Sequence, residues 1–220
     1  MWKPGRMDEA YFYELPPVRA LLFDLGGVVI NFDFGRAFQL WASRAGCDPR
    51  LIAERFCLDD SYEQHERGEI PGSSYFAALR HSLGIDISDD DFIAGWNDVY
   101  LGPVPGMSEV LSVAQRHLPL FAFTNSNPTH KSAWEILYAN ELRPFQQIFV
   151  SSDLGFRKPD PEAFYLVARR MGFEPGEVLF FDDTPGNVDG ARTAGMQSVL
   201  VGSMRDVRRA LSRIGLEVEA

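Results

Sequence analysis

The chain has 220 residues, of which 45% are hydrophobic and 24% charged, and its formal net charge is −10. This is the composition of an ordinary globular protein, long enough for one large domain or for a core with a smaller insert. The acidic balance and the absence of a basic block argue against nucleic acid or an anionic membrane as the main partner. The two cysteines are too few for a disulfide framework, and no run approaches the roughly 18 apolar residues of a membrane span. We therefore expect a cytoplasmic protein.

Residues 1–18 carry several charged side chains and lack the apolar segment of a signal peptide, which predicts an N-terminal extension. The core begins with the apolar segment 20–24, which predicts a buried strand with Asp24 at its carboxyl end. Gly26 and Gly27 follow almost directly. Two glycines at this point indicate tight backbone, with positive φ or close approach to a ligand.

Residues 35–102 differ from the rest of the chain because helical periodicity replaces strand-like runs. The signals for helix ends are Gly46 as a stop and Asp48-Pro49, Ser74 and Ser88 as starts. The helix that starts at Ser88 is expected to run through Val99 to Gly102. This region is therefore predicted to be a helical insert, with its aromatic residues as its core.

From residue 103 onward, strands alternate with helices. Gly102-Pro103 and Pro105-Gly106 predict a linker back into the core. The predicted strands are 119–124, 147–151, 178–182 and 197–201, and the predicted helices are one from Met107, one at about 129–140, one from Asp160-Pro161 to Gly172, one at about 186–194 and one after Ser203. Apolar strands that alternate with helices predict a parallel sheet between two helical layers.

Polar side chains follow several of these strands. In such sheets the ligand site lies beyond the carboxyl ends of the strands. The residues predicted at this edge are Asp24, Thr124-Asn125, Ser151-Ser152 and Asp182-Asp183, with Lys158 in the loop before the next helix. Each of them has an ordinary alternative as a turn former, a helix cap or a solvated lysine. Their convergence on one edge favours a functional site.

Several carboxylates in one crevice repel each other and need a cation. Carboxylates with room for water suit Mg²⁺, whereas the few, scattered histidines and cysteines do not indicate zinc. A strand-end carboxylate beside a lysine and Mg²⁺ suits phosphoryl transfer through an aspartyl-phosphate. Thr124 and Asn125 are then expected to hydrogen-bond the transferring oxygens.

The ordered motifs Asp24, Thr124, Lys158 and Asp182-Asp183 resemble those of the haloacid dehalogenase superfamily, subfamily I, over residues 19–205. The resemblance implies a Rossmann-like, three-layer α/β/α core formed by residues 19–34 and 103–220, with an α-helical cap at residues 35–102. It also implies a small phosphorylated substrate. The oligomeric state does not follow from it.

The resemblance also implies roles for individual residues. The catalytic set would be Asp24 as the nucleophile with Thr124, Asn125 and Lys158. The ligands of Mg²⁺ would be Asp24, the carbonyl group of Gly26, Asp182 and Asp183.

The segments His65–Ile70, 153–159 and Phe180–Asp183 with Asn187 are similar to those of bacterial α-glucose-1-phosphate phosphatases and their relatives. This similarity implies a sugar-phosphate type of substrate. His65, Arg67 and Trp96 are the predicted substrate contacts in the cap. The alternatives are a surface or helix-end position for His65, a solvated Arg67 and a core position for Trp96.

One position departs from most phosphatases of the superfamily, which carry a general acid/base Asp where this chain has Gly26. His65, Glu66, Asp33 or a water molecule would have to replace it, or the leaving group would have to depart unaided. Two other functions stay open. One is a metal-independent 2-haloacid dehalogenase that uses the same nucleophile, and the other is a non-catalytic phosphate-binding relative.

Overall fold

A computed structural model describes residues 16–218. Within this range the strands are β1 (Ala20–Phe23), β2 (Ile30–Phe32), β3 (Tyr100–Pro103), β4 (Leu120–Thr124), β5 (Gln147–Val150), β6 (Val178–Asp182) and β7 (Gln197–Leu200). Five of them form one parallel sheet in the order β5–β4–β1–β6–β7. The predicted α/β class is confirmed, and β1 lies at the centre of the sheet.

Helices cover both faces of this sheet and also form the insert. They are α1 (Phe34–Ala45), α2 (Pro49–Arg55), α3 (Asp60–Glu66), α4 (Gly72–Leu83), α5 (Asp89–Asn97), α6 (Met107–Ala114), α7 (Pro128–Leu137), α8 (Ala139–Leu142), α9 (Ser151–Leu154), α10 (Pro161–Met171), α11 (Pro185–Thr193) and α12 (Met204–Arg213). Along β1, Leu21 and Phe23 pack into one buried cluster, whereas Ala20 and Leu22 pack into the other. Because both faces are buried, the strand is apolar without alternation.

The insert lies between β2 and β3 and consists of α1 to α5, with a hydrophobic cluster of its own. Trp41 and Trp96 are fully buried there, and their rings stack at 5.7 Å. A side chain at Gly95 would collide with the Trp41 ring, so this glycine permits the close packing of α1 against α5. The helices begin at Asp48 and Ser88 as predicted, with both side chains accepting backbone hydrogen bonds.

The end of the insert differs from the prediction. Helix α5 ends at Asn97, and Tyr100–Pro103 forms β3, which pairs with β2 in an antiparallel ribbon. The predicted continuation of the helix to Gly102 is therefore wrong, and Gly102-Pro103, predicted as part of a linker back into the core, lies in β3. A strand of four residues that contains Gly and Pro has too little pattern to be recognised without its partner.

Other boundaries also shift. Helix α3 was not predicted, α4 begins at Gly72 rather than Ser74, and the segment predicted as one helix at about 129–140 forms α7 and α8. Residues 1–15 of the predicted N-terminal extension lie outside the described part of the chain. Among the described residues, none of the helices has the length and hydropathy needed to cross a bilayer.

Candidate active site

The neighbouring strands β4, β1 and β6 bring three polar residues to one edge of the sheet. Thr124 and Asp182 end β4 and β6, and Asp24 follows β1, with its N–H donating to the Phe181 carbonyl at 2.8 Å. All three are buried. Because parallel neighbours end at the same edge, their side chains converge as the sequence predicts.

Lys158 completes this cluster. Its ammonium lies 2.8 Å from Asp24 Oδ1 and 2.7 Å from Asp182 Oδ2, and only 1% of the residue is exposed. Burial alone would lower the pKa of Lys158, but the two carboxylates outweigh it and raise the pKa. The alternative of a solvated loop lysine is wrong, since this buried cation compensates two buried anions.

The carboxylates still outnumber the ammonium. Asp24, Asp182 and Asp183 offer oxygen atoms that lie within 4.8 Å of one another. Burial, against the opposing charge of Lys158 and with the help of Asp182, raises the pKa of Asp24 to about 7, and burial together with Asp182 also raises the pKa of Asp183. A group of converging oxygen ligands with surplus negative charge fits a hard divalent cation such as Mg²⁺.

Asp182 is held more firmly than Asp183. Its Oδ1 accepts from the Thr184 N–H at 2.8 Å and from the Asn187 amide at 3.0 Å, while Oδ2 faces Lys158. Asn187 lies in the first turn of α11 and had no role assigned from the sequence. This fixed carboxylate orients Lys158 and leaves Asp183 as the more exposed oxygen donor of the cluster.

The two glycines after β1, Gly26 and Gly27, differ in what a side chain at their positions would meet. Gly27 has φ of 76°, and a side chain there would collide with the Asp183 carboxylate, so the predicted tight backbone is confirmed. At Gly26, a Cβ atom would lie 3.0 Å from Cε1 of Phe32. The ring of Phe32 in β2 thus occupies the space beside the position where the superfamily's acid/base Asp would stand.

Asn125 has a different contact from the predicted one. Its Nδ2 donates to the Lys158 carbonyl at 2.8 Å, and its Oδ1 accepts from the Lys158 N–H at 2.9 Å. The amide therefore clamps the backbone of Lys158 rather than facing the transferring oxygens. Within residues 16–218, the Thr124 hydroxyl has a single long contact of 3.5 Å, to the Asn125 carbonyl, and it stays available to a ligand.

The predicted substrate contacts in the insert are Arg67, Trp96 and His65, and the structure places them in different surroundings. Arg67 pairs with Glu69 at 2.7 Å and Glu63 at 3.3 Å, so its charge is compensated within the insert, and its contact with a second anion stays a prediction. Trp96 lies in the core of the insert with no exposed surface, which contradicts its predicted substrate contact. Its alternative as a core residue holds.

His65 is also buried, which contradicts the surface alternative. It lies in the last turn of α3, its Nδ1 is 3.3 Å from the Ile70 carbonyl, and its ring stacks on Tyr75 at 4.8 Å. Burial lowers its pKa. Its Nε2 has no hydrogen-bond partner among the described residues.

Two contacts beside the site were not found from the sequence. The Ser151 hydroxyl, predicted only as a strand-end residue, bonds both the N–H and the carbonyl of Ser126 and so fixes the loop after Thr124. Arg157, next to Lys158, forms ion pairs with Glu63 and Glu66 of α3. In the sequence, Arg157 shows only as part of a basic pair in a loop. The acidic partners of Arg157 are about 90 residues away in sequence.

The central parallel sheet, the helical insert and the strand-end carboxylates with their lysine define an enzyme with its site at the carboxyl edge of the sheet. Residues 18–195 match the family model of the haloacid dehalogenase-like hydrolases. The chain belongs to this family, so the predicted family and enzyme class are confirmed.

Relatives agree with this assignment. The chain is 28% identical over 211 residues to a phosphatase of Mycobacterium tuberculosis, covering 90% of this chain and 95% of that protein. It is 31% identical over 203 residues to a phosphoglycolate phosphatase of Shigella dysenteriae, covering 83% and 80%. A haloacid dehalogenase family enzyme of Bacteroides thetaiotaomicron, solved with magnesium and inorganic phosphate, superposes with a TM-score of 0.71 and 26% identity over 82% of this chain and 92% of that one.

Proposed function

We propose that this protein is a Mg²⁺-dependent phosphatase that hydrolyses a small phosphorylated metabolite, such as a sugar phosphate, through an aspartyl-phosphate on Asp24. The observation that carries the proposal is the buried Asp24–Lys158–Asp182 cluster with Asp183 beside it. The phosphatase names of the relatives, and the magnesium and phosphate bound to the Bacteroides enzyme, support it.

The residues would divide the reaction as follows. Mg²⁺ would be held by Asp24, Asp182, Asp183 and the Gly26 carbonyl group, and it would supply positive charge to the phosphate oxygens. One oxygen of Asp24 attacks phosphorus, the bond from phosphorus to the leaving oxygen breaks, and water then hydrolyses the resulting acyl phosphate. Lys158 stabilises the charge that develops on the transferring oxygens.

Other residues orient these groups. The Thr124 hydroxyl donates to a phosphate oxygen, while Asn125 holds the backbone of Lys158. His65 remains a proposed contact for the leaving group, because its Nε2 is buried and lacks a partner among the described residues. The helical insert would act as a cap that excludes water from the site.

The two other candidate functions account for less of the structure. A metal-independent dehalogenase has no role for Asp183, which stands beside Asp24 and Asp182 and adds to their repulsion. A non-catalytic binding protein would share this geometry and would differ by binding phosphate without turnover. Both are distinguishable by assay.

The test is a panel of phosphorylated sugars and small metabolites, assayed with Mg²⁺ and with EDTA, on the wild type and on Asp24→Asn. We expect phosphate release that requires Mg²⁺ and that falls by on the order of 10⁴-fold or more in the variant, as for other covalent nucleophiles. Asp189→Asn, an exposed change of the same kind, serves as the control and should keep full activity. Full activity in EDTA, or halide release from a 2-haloacid without metal, would overturn the proposal, as would phosphate binding without turnover on the whole panel.

A further inference from the structure

The loop 155–159, which carries Lys158, is held from two sides. On the core side, the Asn125 amide makes both hydrogen bonds to the backbone of Lys158. On the insert side, the guanidinium of Arg157 lies 2.9 Å from Glu66 Oε2 and 2.9 Å from Glu63 Oε1. The residue before Lys158 is therefore tied to helix α3 of the insert.

The pair between Arg157 and Glu66 is desolvated. The Glu66 side chain is 4% exposed and that of Arg157 19%, whereas Glu63 is 42% exposed. Burial raises the pKa of Glu66, and Arg157 is the main group that opposes this shift. A buried ion pair contributes little net stability compared with apolar packing, but it fixes one geometry, because either charge alone is strongly disfavoured.

The surrounding contacts show that α3 docks against the core at this loop. A side chain at Gly68, just after α3, would collide with the carbonyl group of Ser152 in α9, which shows how closely the two backbones approach. Glu66 therefore reaches Arg157 only when the insert is docked. Separation of the insert from the core would leave the backbone of Lys158 with Asn125 as its anchor on the core side.

We propose that Glu66 is a positioning residue that acts through Arg157: docking of the insert fixes the loop 155–159 and thereby places the Lys158 ammonium between Asp24 and Asp182. The proposal rests on the phosphatase function, in which Lys158 stabilises the transferring charge. In this proposal, docking of the insert and completion of the site are one event. Glu66 itself does not contact the substrate.

The test compares Glu66→Gln, Arg157→Gln and the double variant with the wild type. We expect kcat to fall at least tenfold in each single variant with a change in KM below threefold, and we expect the double variant to lose no more than Arg157→Gln alone. Glu63→Gln, which removes the more exposed partner of the same arginine, should stay within threefold of wild-type kcat. The double variant buries no unpaired charge, so it keeps the test valid if a single variant fails to fold.

A second readout does not depend on turnover. Hydrogen exchange followed by mass spectrometry should show faster exchange of the 155–160 segment in Glu66→Gln and in the double variant, with unchanged exchange in β4. Wild-type kcat in the double variant, or unchanged exchange in the loop, would overturn the proposal. A wild type that hydrolyses no phosphate ester would refute the phosphatase function instead, while the exchange result would still decide whether Glu66 holds the loop.

Discussion

His130 links the core to the insert and predicts how the protein responds to acid. It lies in α7, its Nε2 is 2.8 Å from the Trp96 carbonyl group, and its ring stacks on the Trp96 indole at 4.8 Å. A carbonyl oxygen only accepts, so Nε2 carries the proton of the neutral ring. Protonation at Nδ1 would place a charge inside this packed junction.

The size of the effect on stability follows from the change in the pKa of His130. Burial, with a smaller contribution from His65 and against the hydrogen bond to the Trp96 carbonyl group, lowers the pKa of His130 from 6.5 to about 3. A depressed pKa means that the folded state binds this proton less readily than the unfolded state. The stabilising contribution is therefore complete above pH 6.5 and is lost progressively as the pH falls towards 3. Over the whole window the loss is ~5 kcal/mol, of which ~2 kcal/mol is lost by pH 5.

The assay is urea unfolding at pH 7.5 and pH 5, with wild type and His130→Gln compared at both. Gln donates to the same carbonyl group and does not titrate, so the variant keeps the link and removes the proton site. We expect the wild type to lose ~2 kcal/mol more of its free energy of unfolding than the variant between these two pH values. Equal losses in the two proteins would refute the reasoning.

Three further predictions concern the edge of the sheet. Lys158→Met leaves two buried carboxylates unpaired, so we expect a loss of ~3–5 kcal/mol in the free energy of unfolding, together with a fall in kcat of ~10²–10³-fold; wild-type kcat would refute its proposed role. Gly27→Ala forces a side chain against Asp183, and we expect a rise of at least tenfold in the Mg²⁺ concentration for half-maximal activity, unlike the control Gly46→Ala, which shares the positive φ but has no atom of the described residues within 4 Å of the added Cβ. Gly26→Asp brings a carboxylate against Phe32, so we expect lower rather than higher kcat; a gain in kcat would show that the ring yields at no cost.

The residues at the strand ends were predictable because one regular feature decides their position. Buried parallel strands are recognisable as apolar runs, and their carboxyl ends meet at one edge whatever the loops do. Asp24, Thr124 and Asp182 are therefore placed without knowledge of any tertiary contact. Lys158 was placed by its position before a helix, and the structure brings it to the same carboxylates.

The contacts of individual side chains were less predictable. Asn125 follows Thr124 directly, yet its amide turns to the backbone of Lys158, 33 residues later in the chain. The partners of Arg157 lie in a helix that has too few residues for a clear period. Sequence spacing fixes where a residue stands in an element, whereas its hydrogen-bond partner depends on which other element packs against it.

What stands in place of an acid/base Asp at Gly26 depends on which elements pack together, which sequence spacing does not give. Strand β2 was not predicted, and it is this strand that brings the ring of Phe32 against Gly26, with Cε1 3.0 Å from where a Cβ atom would stand. The nearby acids have other partners: Asp33 accepts from the Gly35 N–H at 2.7 Å as the cap of α1, and Glu66 is paired with Arg157. An Asp side chain at position 26 would therefore meet the ring of Phe32, which would have to shift by a few tenths of an ångström, and Asp33 or Glu66 would each have to give up a contact to act in its place.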